Sequence, residues 1–106
     1  MADDVMNEIE NEIRSNRVMI YMKGNPTFPQ CGFSAATIEI FQELGKPFAT
    51  VDVLSEPDKR DAIKRYSNWP TIPQVYVNGK FVGGCDIIRE LYASGELRRL
   101  VDEAFA

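Results

Sequence analysis

The chain has no histidine among its 106 residues. That excludes a Ser-His-Asp triad, a Cys-His pair and any histidine-ligated metal. It has two cysteines, so one copy cannot supply the four thiolates of an iron–sulfur site. Without a secretion signal, two cysteines read better as redox or ligand sulfurs than as a structural staple. No apolar run is long enough to span a bilayer. Basic residues are outnumbered, 12 Lys and Arg against 16 Asp and Glu, for a net charge of -4. A surface for nucleic acid or an anionic membrane is therefore not expected. Met1 to Arg14 is acidic and lacks a basic-then-apolar signal. The expectation is a cytoplasmic protein, with a processed form in an organelle matrix as the alternative.

What is present suits one soluble domain over residues 1–106, with a single apolar core: 44% of residues are hydrophobic and 26% charged. Val5, Ile9, Glu12 and Ile13 fall at helical spacing within residues 3 to 15, with Asp3 and Asp4 as candidate caps. Val18 to Met22 is a continuous apolar run that predicts a buried central strand. A helix carrying Ala35, Ile38, Phe41 and Leu44 ends at Gly45-Lys46-Pro47. Phe48 to Val53 reads as a second strand. Ser55-Glu56-Pro57-Asp58 then starts a helix that runs to about Tyr66. Asn78-Gly79 joins Gln74–Val77 to Lys80–Gly83 as a hairpin. Two more helices follow, one from Gly83-Gly84-Cys85-Asp86 and one with Leu97, Leu100, Val101 and Phe105. The predicted fold class is α/β, a four-stranded mixed sheet with helices on both faces. The first two strands are parallel through a helical crossover, and the hairpin is antiparallel.

Cys31 follows a Gly- and Pro-punctuated loop and precedes the helix through Leu44. A sulfur at a helix N-terminus meets free N–H groups and the positive end of the helix dipole, which favour the thiolate. Thiolate is the form that attacks disulfides and binds metal. Ser34 stands three residues on, where a C-x-x-C motif has its second cysteine. Lys23 belongs with Cys31 at the carboxyl end of the first strand, the usual ligand crevice of open α/β sheets. There it either lowers the thiol pKa or binds a carboxylate, against the plainer reading of a solvated lysine.

Three further segments carry candidate chemistry. Thr71-Ile72-Pro73 precedes a strand, where a cis proline turns the amide and carbonyl of Ile72 outward as a template for an extended ligand; a trans proline that merely starts the strand is the alternative. Gly83-Gly84-Cys85-Asp86 offers a helix N-terminus for a carboxylate and Asp86 for an ammonium group, together fitting an α-amino acid head. The plainer reading there is a turn with an Asp cap. Cys85 is either a backbone contributor or a second thiol able to pair with Cys31. Arg60 is placed to reach a ligand carboxylate, with Lys64 and Arg65 as rivals, and Trp69 reads as a packing residue. A groove with a thiolate, cations, a backbone edge and an amino-acid site suits a small γ-glutamyl peptide thiol, and glutathione is the obvious candidate.

Lys23-Gly24-x-Pro26, Pro29-x-Cys31-Gly32-Phe33-Ser34, Trp69-Pro70-Thr71-Ile72-Pro73-Gln74 and Gly83-Gly84-Cys85-Asp86 together resemble the monothiol glutaredoxins of the Cys-Gly-Phe-Ser type, short single-domain class. The resemblance covers nearly the whole chain. It implies a thioredoxin-like fold with Ile72–Pro73 cis. It also implies glutathione held by Lys23, Arg60, the backbone of Ile72, Cys85 and Asp86. In that family two chains and two glutathiones hold one [2Fe–2S] cluster. Cys31 from each subunit and the two glutathione sulfurs then complete four thiolates. Delivery of the cluster to recipient proteins and pairing with BolA-like proteins are implied in the same way.

Two functions of different classes follow. One is an iron–sulfur carrier that is a homodimer when loaded and a monomer otherwise, since no large exposed apolar stripe is evident. The other is a glutathione-dependent thiol–disulfide oxidoreductase in which Cys31 attacks a mixed disulfide and a second glutathione resolves it. The long loop from Gly24 to Gln30, stiffened by Pro26 and Pro29, weighs against strong activity of the second kind. A Cys31–Cys85 disulfide switch is a third, minor reading.

Overall fold

The structure is a computed structural model that describes residues 2–106, with side chains from Asp4 onward. Its first strand, β1 (Val18–Met22), is buried at every position. The reason is that both of its faces are covered. Val18, Ile20 and Met22 point into one core, and Met19 and Tyr21 into another. Helix α1 (Ala2–Ser15) precedes β1, and α2 (Gly32–Leu44) crosses over to β2 (Ala49–Asp52), which pairs parallel with β1. Helix α3 (Pro57–Ser67) leads to the hairpin of β3 (Gln74–Val77) and β4 (Lys80–Gly83). Strand β3 runs antiparallel to β1, with Ile20 opposite Val75 and Tyr21 opposite Gln74. Helices α4 (Cys85–Ser94) and α5 (Glu96–Ala104) complete the order, and the sheet reads β2-β1-β3-β4.

The two cores, where the sequence reading expects a single one, follow from this topology, because the sheet lies between them and each of its faces is covered by its own helices. Ile38 and Phe41 of α2, Ile88 of α4, and Leu97 and Val101 of α5 close on one face. Ile9 and Ile13 of α1 and Ala62 and Ile63 of α3 close on the other. The second face is also cross-tied by polar groups. Tyr21 Oη donates to Glu12 Oε1 at 2.7 Å, and Lys59 Nζ donates to Glu12 Oε2 at 2.5 Å. Burial and the Glu12 carboxylate both push the Tyr21 hydroxyl pKa upward. The hairpin turn has φ 53 at Asn78 and φ 80 at Gly79, the two positive values of a type I′ turn.

The boundaries depart from the sequence reading in detail. Strand β2 is shorter than Phe48–Val53. The Phe48 ring leaves the ladder to pack on Phe41, with centroids 6.2 Å apart. Asp3 and Asp4 fall inside α1, which begins at Ala2, so Asp4 sits in the first turn and does not precede it; the side chain of Asp3 lies outside the described residues. On α2 the buried stripe takes in Ser34 and Thr37 beside Ile38, Phe41 and Leu44. Phe28, Phe33, Leu54, Trp69 and Ile87 are all exposed large hydrophobics. They sit on loops and helix starts, where periodicity does not register burial.

Candidate functional site

Cys31 is the N-cap of α2, with extended φ -155 and ψ 141, and is partly exposed. The thiol makes no capping hydrogen bond. Partial desolvation pushes its pKa up. The Ser34 N–H and hydroxyl, the Phe33 N–H and the Lys23 charge outweigh that and hold it below the ordinary thiol value. Ser34 is fully buried, and its Oγ accepts the Lys23 backbone N–H at 3.1 Å. A residue that reads as a missing resolving thiol is thus a connector between β1 and α2.

The loop leading to Cys31 folds back on itself. Gly24 and Pro29 form an isolated antiparallel bridge, and Gln30 N–H donates to the Lys23 carbonyl at 2.9 Å. Asn25 Oδ1 accepts the N–H groups of Thr27 at 3.0 Å and Phe28 at 2.8 Å, an Asx turn. Gly24 has φ +87, and a Cβ there meets Phe28 O at 2.5 Å, so a side chain does not fit. Asp52 Oδ1 accepts the Gly24 N–H at 2.9 Å.

Beside this loop lies a cavity of about 420 Å³. Lys23, Arg60 and Lys64 bring three cations to it. Thr71, Ile72 and Pro73 form one wall, and Gly84, Cys85 and Asp86 line it at the start of α4. Phe33, Trp69 and Ile87 add apolar surface. The Ile72–Pro73 bond is cis, as the sequence reading favours. Gln74, fully buried, holds the wall from within. Its Nε2 donates to the carbonyls of Trp69 at 3.0 Å and Thr71 at 3.2 Å, while Tyr76 Oη donates to its Oε1 at 3.0 Å. Gly84 keeps the floor open, because a Cβ there lies 3.2 Å from Pro73 O and 3.5 Å from the Trp69 indole nitrogen.

The fold therefore brings Lys23, Arg60, Ile72, Cys85 and Asp86 to one cavity. Cys31 is not part of its lining; it adjoins through Lys23 and Phe33, which are. Of the cations weighed against Arg60, Lys64 lines the cavity and Arg65 does not. Gly84 is the N-cap of α4 and no side chain caps that helix, so Asp86 is not serving as a cap. Trp69 packs on Phe81 with centroids 5.8 Å apart and also faces the cavity, so it is more than a packing residue. Cys31 and Cys85 are both free thiols, Cys85 buried. Sequence reasoning missed the connecting roles of Ser34, Gln74 and Asp52; Ser34 and Asp52 reach partners 11 and 28 residues away, which carry no local signature. Among the described residues no group of three or more His, Cys, Asp or Glu is arranged to hold a metal ion. Among the same residues no helix is long and apolar enough to cross a membrane.

A β2-β1-β3-β4 sheet with a cysteine at the start of its first crossover helix and a cis proline before the third strand defines the thioredoxin-like class. The glutaredoxin family profile matches residues 18–82. A ycf64-like monothiol glutaredoxin from Synechocystis is 51% identical over 106 residues, covering 100% of this chain and 99% of the relative. Reduced poplar apo GrxS14 superposes with a TM-score of 0.82 at 43% identity, over 93% of this chain and 91% of that one. A buckwheat glutaredoxin–glutathione complex shares the fold, with a TM-score of 0.88 at 24% identity over 99% and 94% of the two chains. The chain belongs to the glutaredoxin family, among its monothiol glutaredoxins.

Proposed function

We propose that this monothiol glutaredoxin binds glutathione in the cavity and carries a dimer-bridging [2Fe–2S] cluster as cargo for recipient proteins in the cytoplasm. The observation that carries the reading is the junction of an acidified Cys31 thiol with a cavity that presents three cations, a peptide edge and an acid at a helix N-terminus. Lys23, Arg60 and Lys64 suit the glycine carboxylate of glutathione. The Ile72 backbone suits its cysteinyl unit. The start of α4, with the Cys85 backbone and Asp86, suits the α-carboxylate and ammonium of its γ-glutamyl end. The bound glutathione in the buckwheat glutaredoxin supports the ligand class.

The donor set fits a cluster only by sharing. One chain offers Cys31, each glutathione offers one sulfur, and two copies of both give the four thiolates such a cluster takes. The apo protein is then a monomer and the loaded protein a homodimer, with recipient proteins and a BolA-like protein as its partners. Exposed ligation by a borrowed thiol leaves the cluster labile, which suits a donor. Anaerobic reconstitution with iron, sulfide and glutathione, followed by absorption spectroscopy and size-exclusion chromatography, tests this. Sulfide-to-iron charge-transfer bands with a glutathione-dependent shift to dimer are expected. Absence of both overturns the carrier reading.

The lowered Cys31 pKa favours a second reading, glutathione-dependent deglutathionylation. The Cys31 thiolate attacks the glutathione sulfur of a protein mixed disulfide and releases the protein thiolate. A second glutathione thiolate then attacks the Cys31–glutathione disulfide, freeing Cys31 and forming oxidised glutathione. Turnover of a glutathionylated peptide without a chromophore on reconstitution would favour this function.

A further inference from the structure

Asp52 ends β2 and does not line the cavity, yet it is bonded to the segment that carries Lys23. Its Oδ1 accepts both the Gly24 N–H and the Leu54 N–H at 2.9 Å, and its Oδ2 accepts the Ser55 hydroxyl at 2.9 Å. The same oxygen thus joins the turn after β2 to the loop before Cys31. The neighbouring backbone groups are held as well: Lys23 N–H donates to Ser34 Oγ at 3.1 Å, and the Lys23 carbonyl accepts the Gln30 N–H at 2.9 Å. Gly24 reverses the chain at φ +87 directly on the Asp52 carboxylate. Lys23 in turn lines the cavity, and its charge acts on the Cys31 sulfur.

We propose that Asp52 is a positioning residue for the Cys31 site, fixing Lys23-Gly24 against the end of β2 so that Lys23 keeps its place in the cavity lining near Cys31. This rests on the glutathione reading given above. The Asp52 carboxyl titrates below its ordinary value: slight desolvation raises it, and the N–H groups of Gly24 and Leu54 with the Ser55 hydroxyl more than offset that. A purely structural turn residue would affect stability alone, whereas a positioning residue affects the site at equal stability.

The test compares Asp52→Ala with Asp52→Asn. Both remove the charge, but asparagine keeps an oxygen for the two N–H groups, so their difference isolates positioning. Two readouts are taken: glutathione affinity from Trp69 fluorescence, and the rate of Cys31 alkylation by iodoacetamide at fixed neutral pH. Asp52→Ala is expected to bind glutathione about threefold to tenfold more weakly than Asp52→Asn, the loss of about one net hydrogen bond. It is also expected to alkylate more slowly. Phe105→Ala, at the opposite end of the sheet, controls for loss of stability. Equal affinities and equal alkylation rates in the two Asp52 variants overturn the proposal. Failure of the unaltered protein to bind glutathione overturns the functional reading instead, and the alkylation ratio then decides the role of Asp52 alone.

Discussion

The Ser34 hydroxyl oxygen accepts the Lys23 backbone N–H at 3.1 Å, joining the end of β1 to the first turn of α2. The hydroxyl also favours the Cys31 thiolate. A single buried side chain thus serves the strand-end lysine and the sulfur together. In a monothiol site the position after Cys-x-x does not stand idle.

Ser34→Ala should therefore do two things. It leaves the Lys23 N–H without its acceptor, which costs about 1–3 kcal/mol where the group stays dry. It also removes a donor that lowers the thiol pKa, so the midpoint of Cys31 alkylation against pH should move upward. Chemical denaturation and a pH series of alkylation rates check both. An unmoved midpoint would show that the amides and Lys23 alone set the thiol.

The cavity cations can be ranked. Lys23 is half-buried and adjoins the sulfur, while Arg60 is exposed. Lys23→Ala should weaken glutathione binding about tenfold, as loss of a charge-assisted hydrogen bond implies. Arg60→Ala should cost about twofold to fivefold, in the range of solvated ion pairs. Lys64→Ala should fall between them, because Lys64 is half-buried and lines the same cavity. Titration of Trp69 fluorescence with glutathione gives the order, and the Arg60 effect should shrink in 1 M salt as screening shortens to about 3 Å. Unchanged affinity in Lys23→Ala would remove Lys23 from the binding set.

The framework was legible because its signals are local. The apolar run Val18–Met22, the Gly45 stop and the Asn78-Gly79 turn each act within a few residues, and each produced the element expected. The site was legible where a motif and an element end coincide, as at Cys31 and at Gly84-Cys85-Asp86. Its supports were not. Ser34 and Asp52 are polar residues that reach backbone groups on other elements, 11 residues away for Ser34 and 28 for Asp52. No periodicity or propensity encodes such a partner. Only the fold brings it near.

Cys31 and Cys85 should separate cleanly. Cys31→Ser should abolish the reconstituted chromophore and the shift to dimer, because it removes the one protein thiolate that the cluster reading uses. Cys85→Ser should spare both. Cys85 is buried, and its expected contribution to glutathione is through the backbone. Absorption spectra of the two variants after reconstitution check this, and a chromophore in Cys31→Ser would exclude that sulfur as a ligand.

The cross-tie on the far face of the sheet makes a prediction about alkaline stability. Lys59 is mostly buried and pairs with Glu12 at 2.5 Å and Glu56 at 3.2 Å. Desolvation alone lowers its pKa, but the bonds to Glu12 and Glu56 prevail and raise it above the ordinary lysine value. A group whose folded pKa is raised stabilises the native state fully below its unfolded pKa. That contribution disappears as pH rises through the folded pKa. The unfolded value for lysine is about 10.4, so neutral and mildly alkaline solutions should show no loss from this source. Stability should decline above that point. Lys59→Met keeps the apolar stem and removes the charge, at a cost of about 1–2 kcal/mol at neutral pH, between exposed and buried pairs. The alkaline decline should then be shallower in the variant than in the unaltered protein. Urea denaturation at pH 7 and pH 11 on both proteins measures the difference. Parallel declines would assign the alkaline loss to other groups, with the Tyr21 hydroxyl on the same Glu12 the first to examine.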